Sequence, residues 1–455
     1  MLHDAIGTYN DLLTDDLAAA CQQQLDEQQR RRGLAFGDRP LCTVLRPRFL
    51  TSDQYRLLRC RVRVLMQALT TIHEAAVADA GFRREFRLTP EEEALFAIDP
   101  GFRCPMPTSR FDSFFVPGGA GGRGPGELRF TEYNAETPAA PAYSDELAEV
   151  FLTLPVMAAF QRRYAAVLHP ARPGVFLALL ESFARWRGRR EPPRVAILDW
   201  KEVPTYAEFV LFQRYFRDRG LECVIADPRE LEYRDGELRA GDFRITLIYK
   251  RVLISELIER SGMDSPVIRA VRDGAVCLVN PFRCKPLYKK ASLAVLSDER
   301  NHRLFTAEQQ AVIDEHVPWT RVVEERRTRF ADEEVDLVPY LLANKDRLVL
   351  KPNDDYGGKG IVLGWLVEPA RWEEAVRTAL ATPYVAQDRV VLPKEPFPAL
   401  AGNNLHIGER MLDTAPFVVL GDYVDGCLTR ISTDPLLNVT AGGGSTVPTF
   451  VIEPR

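Results

Sequence analysis

The chain has 455 residues, of which 46% are hydrophobic and 27% are charged, and its net charge is −5 at neutral pH. This composition is typical of a globular protein with about two or three domains. The acidic balance argues against a protein that binds nucleic acid through phosphate contacts, and no apolar run approaches the ~18 residues that cross a bilayer. The first residues lack a secretory signal pattern and the eight cysteines form no C-x-x-C pair, so we expect a reduced, cytoplasmic protein.

The first hundred residues are predicted to be mainly helical. Thr14, Asp15 and Asp16 form a helix-capping sequence ahead of a segment with a basic end, which suits a helix C-terminus. Thr51 or Ser52 precedes a second, longer segment in which apolar residues recur with helical spacing. We expect this region to provide a packing surface.

Strand-like segments begin at residue 110. RFDSFFV and ELRFTEYN are joined by the glycine-rich turn PGGAGGRGPG. A helix is predicted from Ser144 to about Leu168, with a kink at Pro155. From about 190 to 280, strands alternate with an amphipathic helix and a hairpin, which predicts a small, mostly parallel sheet with right-handed crossovers. The last third mixes short helices and apolar strands, with a glycine-rich loop at Gly442–Gly444.

Charged side chains are concentrated in the first two strand-like segments. Arg110 and Asp112 share one strand face, and so do Glu132 and Asn134, because side chains alternate along a strand. If the two strands pair, one face carries two carboxylates, an amide and a guanidinium, a set that suits a magnesium ion and a phosphate. The alternative is a solvated face on which the charges pair across the strands.

A lysine and three glycines mark the segment LVLKPNDDYGGKGIVLGW. Lys351 ends an apolar run, and Gly357, Gly358 and Gly360 follow in a polar loop before a second apolar run. Glycine allows backbone N–H groups to approach phosphate oxygens, and the lysine adds a positive charge. The segment fits nucleotide binding without the Walker A pattern. The alternative is a glycine-rich hairpin with a solvated lysine.

Taken in order, these segments resemble the circularly permuted branch of the ATP-grasp superfamily. This branch is typified by the synthetase domain of glutathionylspermidine synthetase and, more distantly, by eukaryotic glutathione synthetase. The resemblance runs from about Arg110 to the C-terminus. The motifs that carry it are RFD at 110–112, EYNAETP at 132–138, KKA at 289–291, KP at 351–352 with its glycine loop, YVAQDRVVLP at 384–393 and the arginine at 430.

The resemblance implies an α+β or α/β protein with a circularly permuted ATP-grasp fold. Residues 1–100 would form a helical N-terminal region, and 101–185 would form the first part of the ATP-grasp core with a metal-binding hairpin. A small Rossmann-like pre-ATP-grasp domain would follow at 186–285, and the nucleotide-binding portion would occupy 286–455.

The same resemblance implies an ATP-dependent carboxylate–amine ligase that forms an amide through an acyl phosphate, with ATP and Mg²⁺ as cofactors. Its partners would be a small-molecule or peptide carboxylate and an amine acceptor. By their positions in the motifs, Asp112, Glu132 and Asn134 would bind magnesium; Lys290, Lys351, Gly357, Gly358, Gly360 and Gln387 would bind ATP; and Arg110 and Arg430 would face the transferred phosphate. Two other functions stay open, an ATP-dependent kinase of a small molecule and a non-catalytic nucleotide-binding protein. The sequence predicts neither the identity of the substrates nor the oligomeric state.

This chain departs from the family pattern at several places, and one of them is the GGGST segment near its end, to which the family's substrate contacts are not transferred. KKA replaces N-K-A, so Lys289 competes with Lys290 as the lysine that contacts ATP. Asp354 and Asp355 place acidic charge beside the expected phosphates, and we expect them either to point away or to help bind metal. Glu136 stands where the family has aspartate.

Overall fold

The computed structural model describes residues 1–118, 126–331, 333–355, 357–402, 404–437 and 444–455. Most of the predicted turn at 117–126, together with Gly442 and Gly443, lies outside these ranges. Helices and strands follow one another in short stretches along the whole chain, so the fold is a mixed α+β fold.

The N-terminal helices begin where the capping sequences predict. Thr14 accepts a hydrogen bond from the backbone of Leu17, and Thr51 forms a capping box with Gln54. Within the described residues, no helix combines the length and the apolar character needed to cross a membrane. The helices are α1 Leu2–Leu12, α2 Asp15–Arg32, α3 Ser52–Ala78, α4 Ala80–Arg83, α5 Pro90–Phe96, α6 Pro141–Thr153, α7 Pro155–Phe160, α8 Arg172–Arg187, α9 Tyr206–Arg217, α10 Ile254–Ser261, α11 Pro266–Arg272, α12 Lys285–Tyr288, α13 Ala291–Ser297, α14 Ala307–His316, α15 Leu337–Ala343 and α16 Pro369–Ala381.

Most strands are short. In chain order they are β1 Ala35–Phe36, β2 Arg39–Pro40, β3 Arg48–Thr51, β4 Thr108–Pro117, β5 Gly126–Asn134, β6 Tyr164–Leu168, β7 Val195–Leu198, β8 Cys223–Ala226, β9 Leu231–Arg234, β10 Glu237–Ala240, β11 Phe243–Ile245, β12 Leu247–Lys250, β13 Cys277–Val279, β14 Thr320–Val322, β15 Arg327–Phe330, β16 Glu333–Asp336, β17 Leu348–Pro352, β18 Val362–Leu363, β19 Tyr384–Asp388, β20 Lys394–Ala401, β21 Asn404–Leu412, β22 Ala415–Val419, β23 Tyr423–Ser432, β24 Gly444–Val447 and β25 Thr449–Pro454. The longest are those of the antiparallel pairs β4–β5 and β20–β21, together with β23, which lies between the two pairs in the sheet.

The largest sheet is antiparallel and has the strand order β20-β21-β23-β22-β4-β5, with β24 added beside β23. In its β4–β5 hairpin, Arg110 lies opposite Asn134 and Asp112 lies opposite Glu132. This register confirms the predicted pairing of the two charged strands. Phe111 and Phe115 of β4 are buried in one core with Leu128 and Phe130 of β5 and with α3. The opposite face of the hairpin is therefore left to its charged residues.

A smaller sheet is parallel and has the order β13-β12-β7-β8. It confirms the parallel sheet predicted between residues 190 and 280. Because β7 is flanked by β8 on one side and β12 on the other, the order reverses between β7 and β12. Ligands commonly bind at such a reversal, beyond the carboxyl ends of the strands.

A third sheet has the order β14-β19-β17-β18 and is antiparallel. Its strand β17 carries Lys351, and the glycine loop connects β17 to β18. The helices α15 and α16 pack on this sheet through Leu341, Trp372 and Val376, which are all buried. This packing gives the lysine and the loop a rigid base.

The helix predicted from Ser144 to about Leu168 is confirmed as far as Phe160, in two helices, and is wrong for the residues after it. Helix α6 ends at Thr153, and Pro155 begins the separate helix α7 rather than kinking a continuous one. Residues 164–168 form strand β6, which pairs antiparallel with the C-terminal strand β25. The ladder with β25 overrides the local helical pattern, because a distant strand supplies the backbone hydrogen bonds.

Candidate active site

A cleft of about 1180 Å³ lies where the three sheets approach one another. The β4–β5 hairpin forms one wall, strand β17 with its glycine loop forms the second, and the loops after β7 and β12 form the third. Lys290 lies next to this surface and contacts Glu132, which lines it. Gly360 packs against Pro352, the residue that follows the lining residue Lys351. The other predicted site residues all line it: Arg110, Asp112, Glu132, Asn134, Lys351, Gly357, Gly358, Gln387 and Arg430.

Asp112 is the centre of the charged face of the hairpin. Its Oδ1 accepts hydrogen bonds from Arg110 Nε at 2.8 Å and from Asn134 Nδ2 at 3.1 Å. Its Oδ2 accepts a bond from Arg430 at 2.7 Å. Burial by itself would raise the pKa of Asp112, but the two arginines outweigh burial and hold this pKa well below its usual value. The carboxylate is therefore ionised throughout the physiological range.

Arg430 also binds Asp413, a residue that sequence reasoning missed. Arg430 Nε and the Arg430 backbone N–H each donate to the Asp413 carboxylate at 2.6 Å. The two carboxylates outweigh the effect of burial and raise the pKa of Arg430, so its charge is fixed. The only sequence signal for Asp413 was an acidic residue directly after a strand, in the segment LDTAP.

Lys351 lies across the cleft from the arginines and is held by two acceptors. Its Nζ donates to the carbonyl of Thr131 at 3.1 Å and to Gln387 Oε1 at 2.7 Å. Burial lowers the pKa of Lys351 to about 8, with Glu132 opposing this shift and Lys290 adding to it. The side-chain oxygen of Gln387 is thus directed at Lys351, and its amide nitrogen donates to Thr320 at 3.0 Å.

The two lysines of KKA point in different directions. Lys290 Nζ lies 3.3 Å from Glu132 and donates to the backbone carbonyl of Asp355. Lys289 is buried, with its Nζ 2.8 Å from both Glu92 and Asp354. Lys290 is therefore the lysine of this pair that contacts the charged hairpin.

The side chain of Asp354 points towards two lysines outside the cleft lining, which agrees with the expectation that it points away rather than with a role in metal binding. Its carboxylate accepts bonds from Lys285 and Lys289, both at 2.8 Å. Lys285 Nζ also lies 3.2 Å from the fully buried Glu136, which in turn pairs with Lys250. Burial would raise the pKa of Asp354, but the two lysines lower it strongly. Asp354 thus anchors the first residues of the glycine loop to helix α12.

The glycine loop needs residues without a side chain. Gly357, Gly358 and Gly360 have φ of 67°, 77° and 67°, in the left-handed region that other residues rarely adopt. A Cβ on Gly360 would lie 2.7 Å from the ring of Pro352. The loop therefore packs closely on the end of β17, directly after Lys351.

The donor atoms at Asp112, Glu132 and Asn134 fit a magnesium ion. Magnesium prefers oxygen ligands and is commonly bound by one or two carboxylates, with phosphates and waters completing the octahedron. Asp112 and Glu132 are direct cross-strand neighbours. The described residues contain no group of three His, Cys, Asp or Glu side chains placed to hold a metal. A metal here would thus need the Asn134 amide oxygen and oxygens of a bound ligand.

The far end of the cleft reaches the parallel sheet. Arg251 follows β12 and is buried, with its guanidinium 3.0 Å from Glu208. Glu208 also accepts hydrogen bonds from the backbone of Ala140 and Ala142 at 3.1 Å, and so positions the start of α6. Burial raises the pKa of Asp199, which follows β7, to about 7. These charged residues can bind the polar atoms of a small molecule at this end of the cleft.

Comparisons with known proteins agree with this architecture. No family model matches the chain. The chain is 27% identical over 235 residues, 49% of its length, to a Frankia casuarinae protein named "Putative glutamate--cysteine ligase 2-2". It is also 27% identical over 230 residues, 48% of its length, to the "Putative glutamate--cysteine ligase 2-3" of Frankia alni. The chain spans about a quarter of the length of each of these relatives, 25% and 24%.

A solved structure resembles the chain along almost its whole length. The glutathione synthetase-like effector of Globodera pallida, in its apo form, superposes with a TM-score of 0.58 over 97% of this chain and 99% of the effector. The two sequences are 11% identical, so the likeness concerns the fold. The chain thus shares the mixed α+β fold of this effector.

Proposed function

We propose that this protein is an ATP-dependent ligase of the circularly permuted ATP-grasp type, which joins a carboxylate to an amine through an acyl phosphate. The observation that carries the proposal is the meeting of Asp112 and Glu132 with Arg430 and Lys351 on one cleft. These residues come from opposite ends of the chain, and together they form an anion site beside a metal-binding donor set. The ligase names of the Frankia relatives support the same reaction class.

In the first step, a carboxylate oxygen of one substrate attacks the γ-phosphorus of ATP, and ADP leaves. Phosphoryl transfer depends mainly on positioning and on neutralising the charge of the phosphate oxygens. Lys351 and Lys290 attract the phosphates from the nucleotide side of the cleft. Arg110 and Arg430 face the transferred group from the other side, and their planar guanidinium groups suit its oxygens.

In the second step, the nitrogen of an uncharged amine attacks the acyl carbon, phosphate leaves, and the amine proton is released. The two arginines stabilise the oxyanion that forms at the acyl carbon. The glycine loop closes over the phosphates and excludes water, which would otherwise hydrolyse the acyl phosphate. Asp112, Glu132 and Asn134 would hold magnesium, which would neutralise part of the charge of the phosphate oxygens.

Asp112 binds Arg110 and Arg430, and Glu132 lies 3.3 Å from Lys290. We infer an exchange of partners, in which a bound phosphate would attract the three cations and the two carboxylates would then be available to hold the metal. Each charge would then have a partner both before and after the exchange. A buried charge without a partner would cost several kcal/mol.

An isotope experiment tests the proposal. The protein is incubated with ATP, Mg²⁺ and panels of amino acids, short peptides and polyamines, with ADP release as the first readout. The carboxylate of any active substrate is then labelled with ¹⁸O. If an acyl phosphate forms, one labelled oxygen is transferred to the released phosphate. The product then has the mass of the carboxylate and the amine joined by an amide bond, with the loss of one oxygen and two hydrogens. A phosphorylated product with no free phosphate would instead identify a kinase, and ATP binding without turnover would identify a non-catalytic protein.

A further inference from the structure

The N-terminal region contributes an apolar wall to the cleft. Phe36 and Leu41 come from the short β1–β2 hairpin and its C-terminal flank, and both line the cleft together with Tyr143 of α6 and Val203 after β7. Leu41 and Tyr143 are each only 3% exposed, so they are firmly packed into this wall. Apolar side chains such as Ile361, Trp365 and Met411 line other parts of the cleft, and this wall is the apolar stretch that the N-terminal region supplies.

Contacts with three separate parts of the chain hold the hairpin in place. Tyr143 donates its hydroxyl to the carbonyl of Ala35 at 2.8 Å, and the Gly37 backbone N–H donates to the carbonyl of Pro204 at 3.1 Å. The backbone N–H of Thr446 donates to the carbonyl of Leu41 at 2.8 Å. The wall is therefore a built part of the cleft rather than a loop that happens to lie near it.

The apolar wall lies next to the arginines. Arg110 donates to the carbonyl of Ala139 at 2.9 Å, just before the start of α6, which carries Tyr143. Thr446, which binds the carbonyl of Leu41, lies opposite Arg430 in the pairing of β23 with β24. A carboxylate held by the two arginines would thus place the group attached to it beside Phe36 and Leu41.

We propose that this wall is a side-chain subsite, and that the ligase selects an amino acid or short peptide with an apolar aliphatic or aromatic side chain. The inference rests on the proposed function and adds the class of one substrate. The charged residues at this end, Asp199 and Arg251, then serve the polar atoms of the same molecule. Each methylene in such a pocket changes the discrimination between substrates about 10- to 200-fold, so a leucine or phenylalanine side chain would be strongly preferred over a small one.

Binding in the absence of turnover tests this subsite. Titration calorimetry is performed on the full chain with Mg²⁺ and a non-hydrolysable ATP analogue. The probes are leucine, phenylalanine, alanine, glutamate and spermidine. We expect leucine or phenylalanine to bind at least about tenfold more tightly than alanine, glutamate or spermidine. A preference for glutamate or spermidine, or no binding of the apolar probes, would overturn the subsite.

Variants assign the preference to the wall. Phe36→Ala is expected to lower the affinity for the apolar probe about tenfold and to leave the affinity for the ATP analogue unchanged, while Phe36→Leu restores most of the loss. Leu177→Ala, on a residue of α8 that is 52% exposed, is the matched control and should change neither affinity. An unchanged apolar preference in Phe36→Ala would also overturn the subsite. Failure of the ¹⁸O transfer, with the binding preference intact, would instead count against the ligase reaction alone.

Discussion

Arg430 donates to Asp112 at 2.7 Å, although 318 residues separate them in the chain. The bond joins strand β23 of the C-terminal part to strand β4 of the charged hairpin, within one antiparallel sheet. It brings the arginine proposed to face the transferred phosphate to the carboxylate proposed to bind metal. We therefore expect substitutions and changes of pH around this pair to change ATP turnover and nucleotide affinity.

Replacement of Asp112 separates a functional carboxylate from a structural one. Asp112→Asn is expected to lower metal-dependent ATP turnover at least about a hundredfold, because charge stabilisation in the active site is lost. Asp298 is the matched control, since it too is bound by two arginines, Arg300 at 2.8 Å and Arg326 at 2.7 Å, but it lines a separate small pocket. Asp298→Asn should destabilise the fold by about 2 kcal/mol and keep turnover within about threefold. Equal loss of turnover in both variants would contradict the site assignment.

The pKa of Lys351 predicts how nucleotide binding depends on pH. Burial lowers this pKa to about 8, so the ammonium loses its proton as the pH rises through this value. The attraction for phosphate is complete below the pKa and is lost above it. The Kd of a non-hydrolysable ATP analogue should therefore increase from pH 7 to pH 9.5, as measured by fluorescence or calorimetry.

Lys351→Arg provides the comparison for this pH dependence. Arginine keeps its charge over the whole range, so the Kd of the variant should be nearly constant from pH 7 to pH 9.5. A wild-type Kd that does not change across this range would show that Lys351 does not contribute its charge to the nucleotide site.

Asp354, which anchors the glycine loop to α12, can be replaced without changing a residue that lines the cleft. Asp354→Ala leaves Lys285 and Lys289 without one carboxylate, and we expect a loss of about 2–3 kcal/mol in the free energy of unfolding. The start of the loop is then released from α12, and the Kd of the ATP analogue should increase about tenfold. Asp355→Asn is the control, because the contact of Asp355 with Lys290 is made by the backbone carbonyl. Denaturant unfolding and analogue titration measure the two effects, and an unchanged Kd for Asp354→Ala would refute the anchoring role.

Gly360→Ala tests the close packing of the same loop. Alanine at a positive φ costs about 1 kcal/mol, and at Gly360 its Cβ would also clash with Pro352. Gly241 has a similar φ of 56°, but a Cβ added there would meet no atom within 4 Å, so Gly241→Ala carries the backbone strain alone. We expect Gly360→Ala to weaken analogue binding at least fivefold and Gly241→Ala to leave it unchanged. Similar binding by both variants would mean that the loop does not contact the nucleotide.

Local patterns were sufficient for the elements that carry the charges. Alternation along the strands predicted that Arg110 and Asp112 share a face, and the register of β4 with β5 confirms it. The capping sequences at Thr14 and Thr51 located two helices, and the parallel sheet followed from the order of strands and helix. These features depend on neighbours in the chain, which is why periodicity and capping identify them.

Other features depend on contacts that no local pattern contains. The strand at 164–168 forms only because β25 pairs with it. Asp354 forms an ion pair with Lys289, whereas Lys290, one residue later, contacts Glu132. The sequence predicts only a packing surface for the N-terminal region, yet Phe36 of this region lines the cleft.

The sequence by itself determined which residue types and local elements the molecule has, including the charged hairpin, the lysine strand and the glycine loop. Only the tertiary structure decided which charges face one another, which lysine lies at the hairpin and what closes the far end of the cleft. The physical reason is that the energy of a buried charge is set by the partners that surround it, and here those partners come from strands and helices hundreds of residues apart.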